Sequence, residues 1–139
     1  MKYRKFGTKY VLRIDKGEEI VETLKKFCRE FDIKLAAVSG IGATNHATIG
    51  LFNTSTKQYH SRQLTGNFEI TNLSGNVSSM NGEVYLHLHI TLSGSNCSAF
   101  GGHLNSAVIS GTCEIVIDLI DGVLDRQFDE DVGLNIYKI

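Results

Sequence analysis

The chain has 139 residues, is 42% hydrophobic and 21% charged, and carries a formal net charge of −1. This size and composition predict a single soluble domain over residues 1–139. The near-neutral charge argues against the basic surface typical of a protein that grips DNA on its own. No apolar run approaches the ~20 residues of a membrane-spanning helix, and the first residues lack the apolar core of a signal peptide, so we expect a cytoplasmic protein with no membrane partner.

The cysteines agree with a reducing compartment. Cys28, Cys97 and Cys113 are odd in number, and no two of them stand at the C-x-x-C spacing of a metal or redox motif. Cys28 falls on the apolar face of a predicted helix and Cys113 in an apolar strand. We therefore expect both to be buried thiols rather than ligands or disulfide partners.

The chain starts with one strand and one helix. Residues 9–14 alternate as a strand, and a helix is predicted over residues 17–31. Asp15 and Glu18 form the D-x-x-E pattern of a capping box, with Asp15 as the expected cap. An apolar stripe follows at helical spacing, and it should pack on a sheet.

The rest of the chain predicts strands separated by glycines. Ser39–Ala43, with Gly40 and Gly42, predicts a tight turn near a ligand, and residues 95–112 predict a loop with a helical turn after His103. One helix and seven or eight strands in succession indicate an α+β fold with a mainly antiparallel sheet. The predicted strands after the helix are 34–38, 46–52, 57–64, 67–77, 83–93, 113–120 and 134–139.

The stretch EVYLHLHITL, residues 83–92, carries two of the five histidines on the polar face of one strand. His87 and His89 then have Cβ atoms roughly 6.5–7 Å apart. Both imidazoles can lean toward one ion at a Zn–N distance of ~2.0–2.1 Å. Equally, both can be polar side chains that face solvent or another subunit. His46 and His60 have no partner at ligand spacing, and we assign them no role.

A third ligand comes from the segment FGGHL. Gly101 and Gly102 precede His103, and two residues without Cβ atoms allow this segment to approach a strand closely. Three histidines with an open fourth position are typical of a catalytic zinc site, where bound water becomes acidic. Glu69 and Glu114, both on predicted strands, are candidates to orient the ligands or to accept a proton.

Other chemistries have weaker signals. Ser39–Ala43 contains G-x-G after an apolar strand but leads into another strand, and it is not the G-x-G-x-x-G of a dinucleotide site. The chain contains no G-x-S-x-G elbow, no P-loop and no recognised nucleic-acid module.

Five ordered motifs resemble one family, the PPC domain ("plants and prokaryotes conserved"). The motifs are LRIDKGEEI (12–20), SGIGA (39–43), GNFEI with LSGN (66–76), HLH (87–89) and GGHL (101–104). The resemblance implies an antiparallel sheet of about seven strands flanked by one long helix and one or more short helices. It also implies a homotrimer, and zinc on His87, His89 and His103. Plant members of the family follow AT-hooks that bind DNA.

The sequence departs from the plant pattern at two points. Residues 1–139 contain no proline, so the Pro-Arg-Gly-Arg-Pro-like core of an AT-hook is absent. Asn67 stands where plant members favour arginine, and this weakens any transfer of their partner contacts. The DNA association of the family is therefore not carried by its usual element.

Three functions follow. The first is a non-enzymatic homotrimeric module, regulatory or DNA-associated, with a three-histidine zinc site and room for a small ligand. The second is a zinc-dependent enzyme that acts on an unknown small molecule. The third is direct DNA binding through a basic surface generated by a trimer, from Lys2, Arg4, Lys5 and Lys9.

Overall fold

The structure is a computed structural model that describes residues 1–139. It contains one α-helix and eight β-strands. In chain order these are β1 (Lys2–Phe6), β2 (Lys9–Asp15), α1 (Ile20–Glu30), β3 (Ala36–Asn53), β4 (Gln58–Met80), β5 (Glu83–Ser93), β6 (Ala99–Leu119), β7 (Arg126–Asp129) and β8 (Leu134–Tyr137).

Six strands form one antiparallel sheet in the order β1-β2-β6-β3-β4-β5, and β6 also pairs with β5. The four long strands β3, β4, β5 and β6 therefore close a ring of pairings. Strands β7 and β8 make a separate two-stranded sheet. The expected α+β class with a mainly antiparallel sheet is confirmed. The details differ, because the strands divide six and two rather than about seven in one sheet, and no short helix accompanies α1.

The helix lies where the apolar periodicity predicts it, but its cap is different. Glu19, not Asp15, is the N-cap, and its carboxylate accepts hydrogen bonds from the backbone N–H groups of Val21 and Glu22 at 3.0 and 2.7 Å. The Glu18 carboxylate instead accepts from the Asp15 backbone N–H at 2.7 Å, which fixes the turn before the helix. The buried face of the helix consists of Ile20, Leu24, Phe27 and Cys28.

The predicted tight turn at Ser39–Ala43 is wrong, because these residues lie inside β3 and pair with both β4 and β6. Two glycines here serve close strand packing rather than a change of direction. A Cβ atom at Gly40 would lie 2.8 Å from the Glu114 carbonyl oxygen, and one at Gly42 would lie 2.5 Å from that of Thr112. The register shifts by one residue between Gly40 and Gly42, as in a β-bulge.

The predicted loop over residues 95–112 is correct for residues 95–98 and wrong beyond them. From Ala99 onward the chain is strand β6, and the segment after His103 pairs with β3 instead of forming a helical turn. Serine and glycine suggested a loop, but Leu104, Ala107 and Ile109 are buried in the core. Register shifts opposite Gly42–Thr44, Thr44–His46 and Thr48–Ile49 of β3 break the strict alternation by which a strand would be recognised in β6.

Two of the three cysteines lie as the sequence predicts. Cys28 and Cys113 are buried free thiols, and burial raises the pKa of each to about 12. Cys97 is exposed and free. The structure has no helix that is both long and apolar enough to cross a membrane.

Candidate metal centre

Strands β5 and β6 bring three histidines together. His87 and His89 are two residues apart on β5 and so share one face, and His89 is the direct cross-strand partner of His103 on β6. The ring centroids are 5.2 Å apart for His87 and His89, 5.4 Å for His87 and His103, and 5.6 Å for His89 and His103. One nitrogen of each ring lies within 4.8 Å of the others.

The glycines around the site allow its strands to lie close together. A Cβ atom at Gly102, next to His103, would lie 2.7 Å from the Gly50 carbonyl oxygen on β3. A Cβ atom at Gly75 on β4 would overlap the carbonyl oxygen of His87. Gly101, the other glycine before His103, pairs with Thr91 on β5. Glycine at these positions therefore allows β3 and β4 to lie close to the strands β6 and β5 that carry the histidines.

Two of the imidazoles, those of His87 and His103, favour the neutral form that a metal requires. Desolvation, followed by the positive charge of Arg126 and the other two histidines, lowers the pKa of His87 to about 4. Desolvation and His89 also lower the pKa of His103. Neutral imidazole is the metal-binding form, so a cluster with His87 and His103 partly buried and His89 exposed suits a cation such as zinc.

The donor set fits a divalent metal with an open position. Three imidazole nitrogens within 4.8 Å of one another need only small ring rotations to reach one ion at about 2.0–2.1 Å. No cysteine, aspartate or glutamate joins the group. The protein thus offers three nitrogen ligands and leaves the fourth position of a tetrahedral site to a small molecule or water.

The histidines line a cavity of about 930 Å³. Its walls include aromatic side chains, and one of them, Tyr59, donates a hydrogen bond to the Asn105 side chain at 2.7 Å and lies edge-on to His103. Arg126, Asn76 and Asn135 add further polar groups to the lining. None of the sixteen lining residues is an aspartate or a glutamate.

The structure separates the two predicted glutamates from the histidines. Glu69 and Glu114 line a second depression of about 660 Å³, together with Gly42, and this depression shares no residue with the histidine cavity. They flank β3, because Glu69 pairs with Ala43 and Glu114 with Ile41. Gly40 lies between β4 and β6 and lines neither cavity.

Sequence reasoning missed the polar residues around the histidines. Tyr85 carried a usable signal, because it stands two residues before His87 on the same strand face. Arg126 is the only basic residue among the seven acids of residues 114–131, but nothing in the sequence links it to the histidines. Nothing in the sequence placed Tyr59 or Tyr137 here, because their positions depend on strand pairing over long separations.

Comparison with known proteins decides the family. The model of the Plants and Prokaryotes Conserved (PCC) domain matches residues 1–121. The chain belongs to the PCC domain family. The resemblance seen in the five sequence motifs is thereby confirmed, and the PCC match ends just before Arg126. No curated protein matches the chain.

Solved structures share the PCC fold over nearly the whole chain. One, from Bacteroides thetaiotaomicron and named as a candidate DNA-binding protein, is 44% identical with a TM-score of 0.96, covering 99% of this chain and 96% of its own. A metal-containing protein from Archaeoglobus fulgidus is 34% identical with a TM-score of 0.87, covering 99% of both chains. A plant- and prokaryote-conserved protein from Pyrococcus horikoshii is 31% identical with a TM-score of 0.88, covering 99% of this chain and 95% of its own.

Proposed function

We propose that this PCC domain is a zinc-binding module whose three-histidine centre receives a small ligand at its open coordination position. The observation that carries the proposal is the convergence of three imidazoles, with one nitrogen of each within 4.8 Å of the others, in a cavity of about 930 Å³. The relative from Archaeoglobus fulgidus is itself a metal-containing protein, and this supports a metal here.

His87, His89 and His103 would hold the ion. When bound, zinc supplies a Lewis acid that polarises a ligand oxygen or acidifies a coordinated water. The protein's own residues would hold a ligand between the aromatic walls of the cavity. Burial, together with the positive charge of Arg126, keeps the pKa of His87 low and so favours its metal-binding form.

Metal content tests this function. Protein prepared without a histidine tag is expected to hold about one zinc per chain, and His103→Ala is expected to lose it. His60→Ala is the matched control, because His60 is exposed on β4 outside the cluster. Equal zinc content in the His103 variant and the wild type would contradict the proposal.

A zinc-dependent enzyme is the alternative that the same cavity favours, since its open coordination position and its volume suit a small substrate. The cavity holds no carboxylate to act as a general base, and Glu69 and Glu114 lie in the other depression. An enzyme built on this site would therefore rely on the metal and on Arg126 or tyrosine side chains. This makes a binding module the better-supported reading of the two.

We also infer a homotrimer as the working assembly, on the family resemblance. Apolar side chains at the rim of the histidine cavity support an assembly that covers them: Leu51 is 64% exposed, Tyr59 45% and Leu134 39%. Light scattering coupled to gel filtration tests the assembly. A mass of three chains is expected, and a monomer mass across micromolar concentrations would contradict it.

DNA association is the second candidate function. The edge hairpin of β1 and β2 exposes Lys2, Arg4 and Lys5, none of which has a carboxylate partner. Lys9 is less available because it forms an ion pair with Asp118. A relative at 44% identity is named as a candidate DNA-binding protein. A shift assay on AT-rich duplex at two salt concentrations tests this function, and absence of binding even at low salt removes it.

A further inference from the structure

Arg126 is the one charged side chain buried in the molecule, at 7% exposure. It is the first residue of β7 and lines the histidine cavity. Its guanidinium donates to the Ser78 hydroxyl, the Asn76 side-chain oxygen and the Asn135 carbonyl oxygen, each at 2.8 Å. Every one of these acceptors is neutral.

A buried guanidinium normally has a carboxylate partner, because an unpaired charge loses much of its hydration energy. Arg126 has none, and no ion pair in the structure includes it. Two aromatic rings stabilise it in part, since its Cζ atom lies 4.8 Å from the Tyr85 ring centroid and 4.3 Å from that of Tyr137. The hydrogen bonds occupy three of its five N–H donors, and two remain for a further acceptor.

Arg126 stands beside the histidines. Asn76, which accepts a hydrogen bond from Arg126, is the cross-strand partner of His87. Tyr85, which stacks on Arg126, lies two residues from His87 on the same strand face. The guanidinium and the metal ligands thus line one cavity that contains no acidic side chain, in a chain with fifteen acids.

We propose that Arg126 forms a carboxylate-binding subsite of this cavity, and that the ligand is a small organic carboxylate with an apolar substituent. The planar guanidinium matches the two oxygens of a carboxylate. The apolar substituent would contact the walls formed by Phe52, Ile136 and the tyrosine rings. The placement of the ligand next to zinc rests on the function proposed above, whereas the contact with Arg126 does not.

A carboxylate suits this site better than phosphate. One arginine and no lysine lines the cavity, and seven of the sixteen lining residues are hydrophobic. A phosphate dianion carries more negative charge than one guanidinium neutralises, and burying the excess charge is costly. Inorganic phosphate is therefore expected to bind weakly, and it serves as a separate arm of the test.

Calorimetry with benzoate, its neutral isostere benzamide and inorganic phosphate tests the subsite in the full chain. Benzoate is expected to bind at least about tenfold more tightly than benzamide, with or without added zinc, because charge-assisted hydrogen bonds are worth more than neutral ones. Arg126→Lys keeps the positive charge but loses the planar guanidinium group that can donate two parallel hydrogen bonds. It should weaken benzoate binding about tenfold. Arg62→Lys, at an exposed position on β4, should leave it unchanged.

Equal affinities for benzoate and benzamide, or tighter binding of phosphate than of benzoate, would overturn the proposal. Because Arg126 also ties β7 and β8 to β4, its variant is checked by thermal unfolding. If the variant does not fold, the side-chain Nε–H resonance of Arg126 in the wild type decides instead. It should shift on titration with benzoate and stay still with benzamide, and no shift with either ligand would contradict the subsite.

The same experiment separates this proposal from the zinc proposal. The His103→Ala variant is expected to lose zinc yet still to distinguish benzoate from benzamide through Arg126. If His103→Ala loses zinc, and neither it nor the wild type binds benzoate more tightly than benzamide, the subsite proposal is contradicted and the zinc proposal is not. If the wild type binds benzoate more tightly than benzamide but never holds zinc, the zinc proposal is contradicted and the subsite proposal is not.

Discussion

His89 on β5 and His103 on β6 are direct partners across an antiparallel strand pair, with ring centroids 5.6 Å apart. They are fourteen positions apart in the sequence, and the hairpin between the two strands brings them to one face. His87 joins them because it stands two residues from His89 on β5. Strand register, and not a mobile loop, therefore positions all three imidazoles.

Zinc should stabilise the native protein by an amount that depends on the free zinc concentration relative to the dissociation constant. At a free zinc concentration of one hundred times the dissociation constant, linkage predicts about 2.7 kcal/mol of added stability. His89→Ala should abolish the zinc-dependent rise in melting temperature. His46→Ala is the control, because His46 lies outside the cluster and contacts Thr65. An equal rise in both variants would show that zinc acts elsewhere.

Gly102→Ala should destabilise the protein by about 1–3 kcal/mol, since the added methyl group would meet the Gly50 carbonyl oxygen at 2.7 Å. Urea denaturation measures the change, and zinc affinity should fall with it as β6 moves away from β3. Gly111→Ala is the matched control on the same strand, where the nearest atom lies at an ordinary 3.7 Å. A loss of similar size in both variants would mean that close strand packing at Gly102 is not the cause.

Phe27→Ala should lower the free energy of unfolding by about 3–5 kcal/mol, because the ring is 1% exposed and the helix loses its main contact with the sheet. Its ring centroid lies 5.2 Å from those of Tyr3 and Tyr10. Phe6→Ala provides the comparison, since Phe6 is 55% exposed on β1. Denaturant titration of the two variants should separate them by at least about 2 kcal/mol.

The contact between the N-terminus and Glu18 should make stability depend on pH. The Met1 ammonium group donates to the Glu18 carboxylate at 2.7 Å, and this bond, with the Asp15 backbone N–H, holds the pKa of Glu18 below its ordinary 4.5. The same bond raises the pKa of the Met1 amino group above 8.0. A lowered carboxylate pKa stabilises the folded state above pH 4.5, and a raised amine pKa stabilises it below pH 8.0. The contact therefore makes its full contribution to stability between these two pH values.

Glu18→Gln should therefore destabilise the protein by a constant amount between about pH 5 and 7.5. The difference from the wild type should shrink as the pH falls below 4.5 and again as it rises beyond 8.0. Glu30→Gln, an exposed residue at the end of α1, is the control. Denaturation curves across this range measure both variants, and a pH-independent difference for Glu18→Gln would contradict the contact.

Local patterns predicted much of the fold. The apolar stripe located α1, and strict alternation located β5 with its histidines, because a two-residue or 3.6-residue period is visible over a short window. The pattern failed at Ser39–Ala43 and over residues 99–112. There, bulges shift the alternation, and glycines accommodate neighbouring strands that the sequence alone does not reveal.

Part of the candidate site could be predicted from the sequence and part could not. His87 and His89 could be grouped from their spacing, and His103 from its two preceding glycines. Arg126 and Tyr137 could not, because they reach the cavity through the β7–β8 hairpin and the long-range contact of Arg126 with β4. Glu69 and Glu114 were candidates only because they lie on predicted strands. The sequence position of a strand residue does not show on which side of the paired strands β3 to β6 its side chain lies, and both glutamates line the other depression.

The central claim is a metal on His87, His89 and His103, and anomalous scattering at the zinc edge from crystals of the zinc-loaded protein tests it most directly. The account predicts one strong anomalous peak per chain, bounded by three imidazole nitrogens at about 2.0–2.1 Å, with a non-protein ligand at the fourth position. No peak among these histidines, or a peak bound elsewhere on the chain, would contradict it.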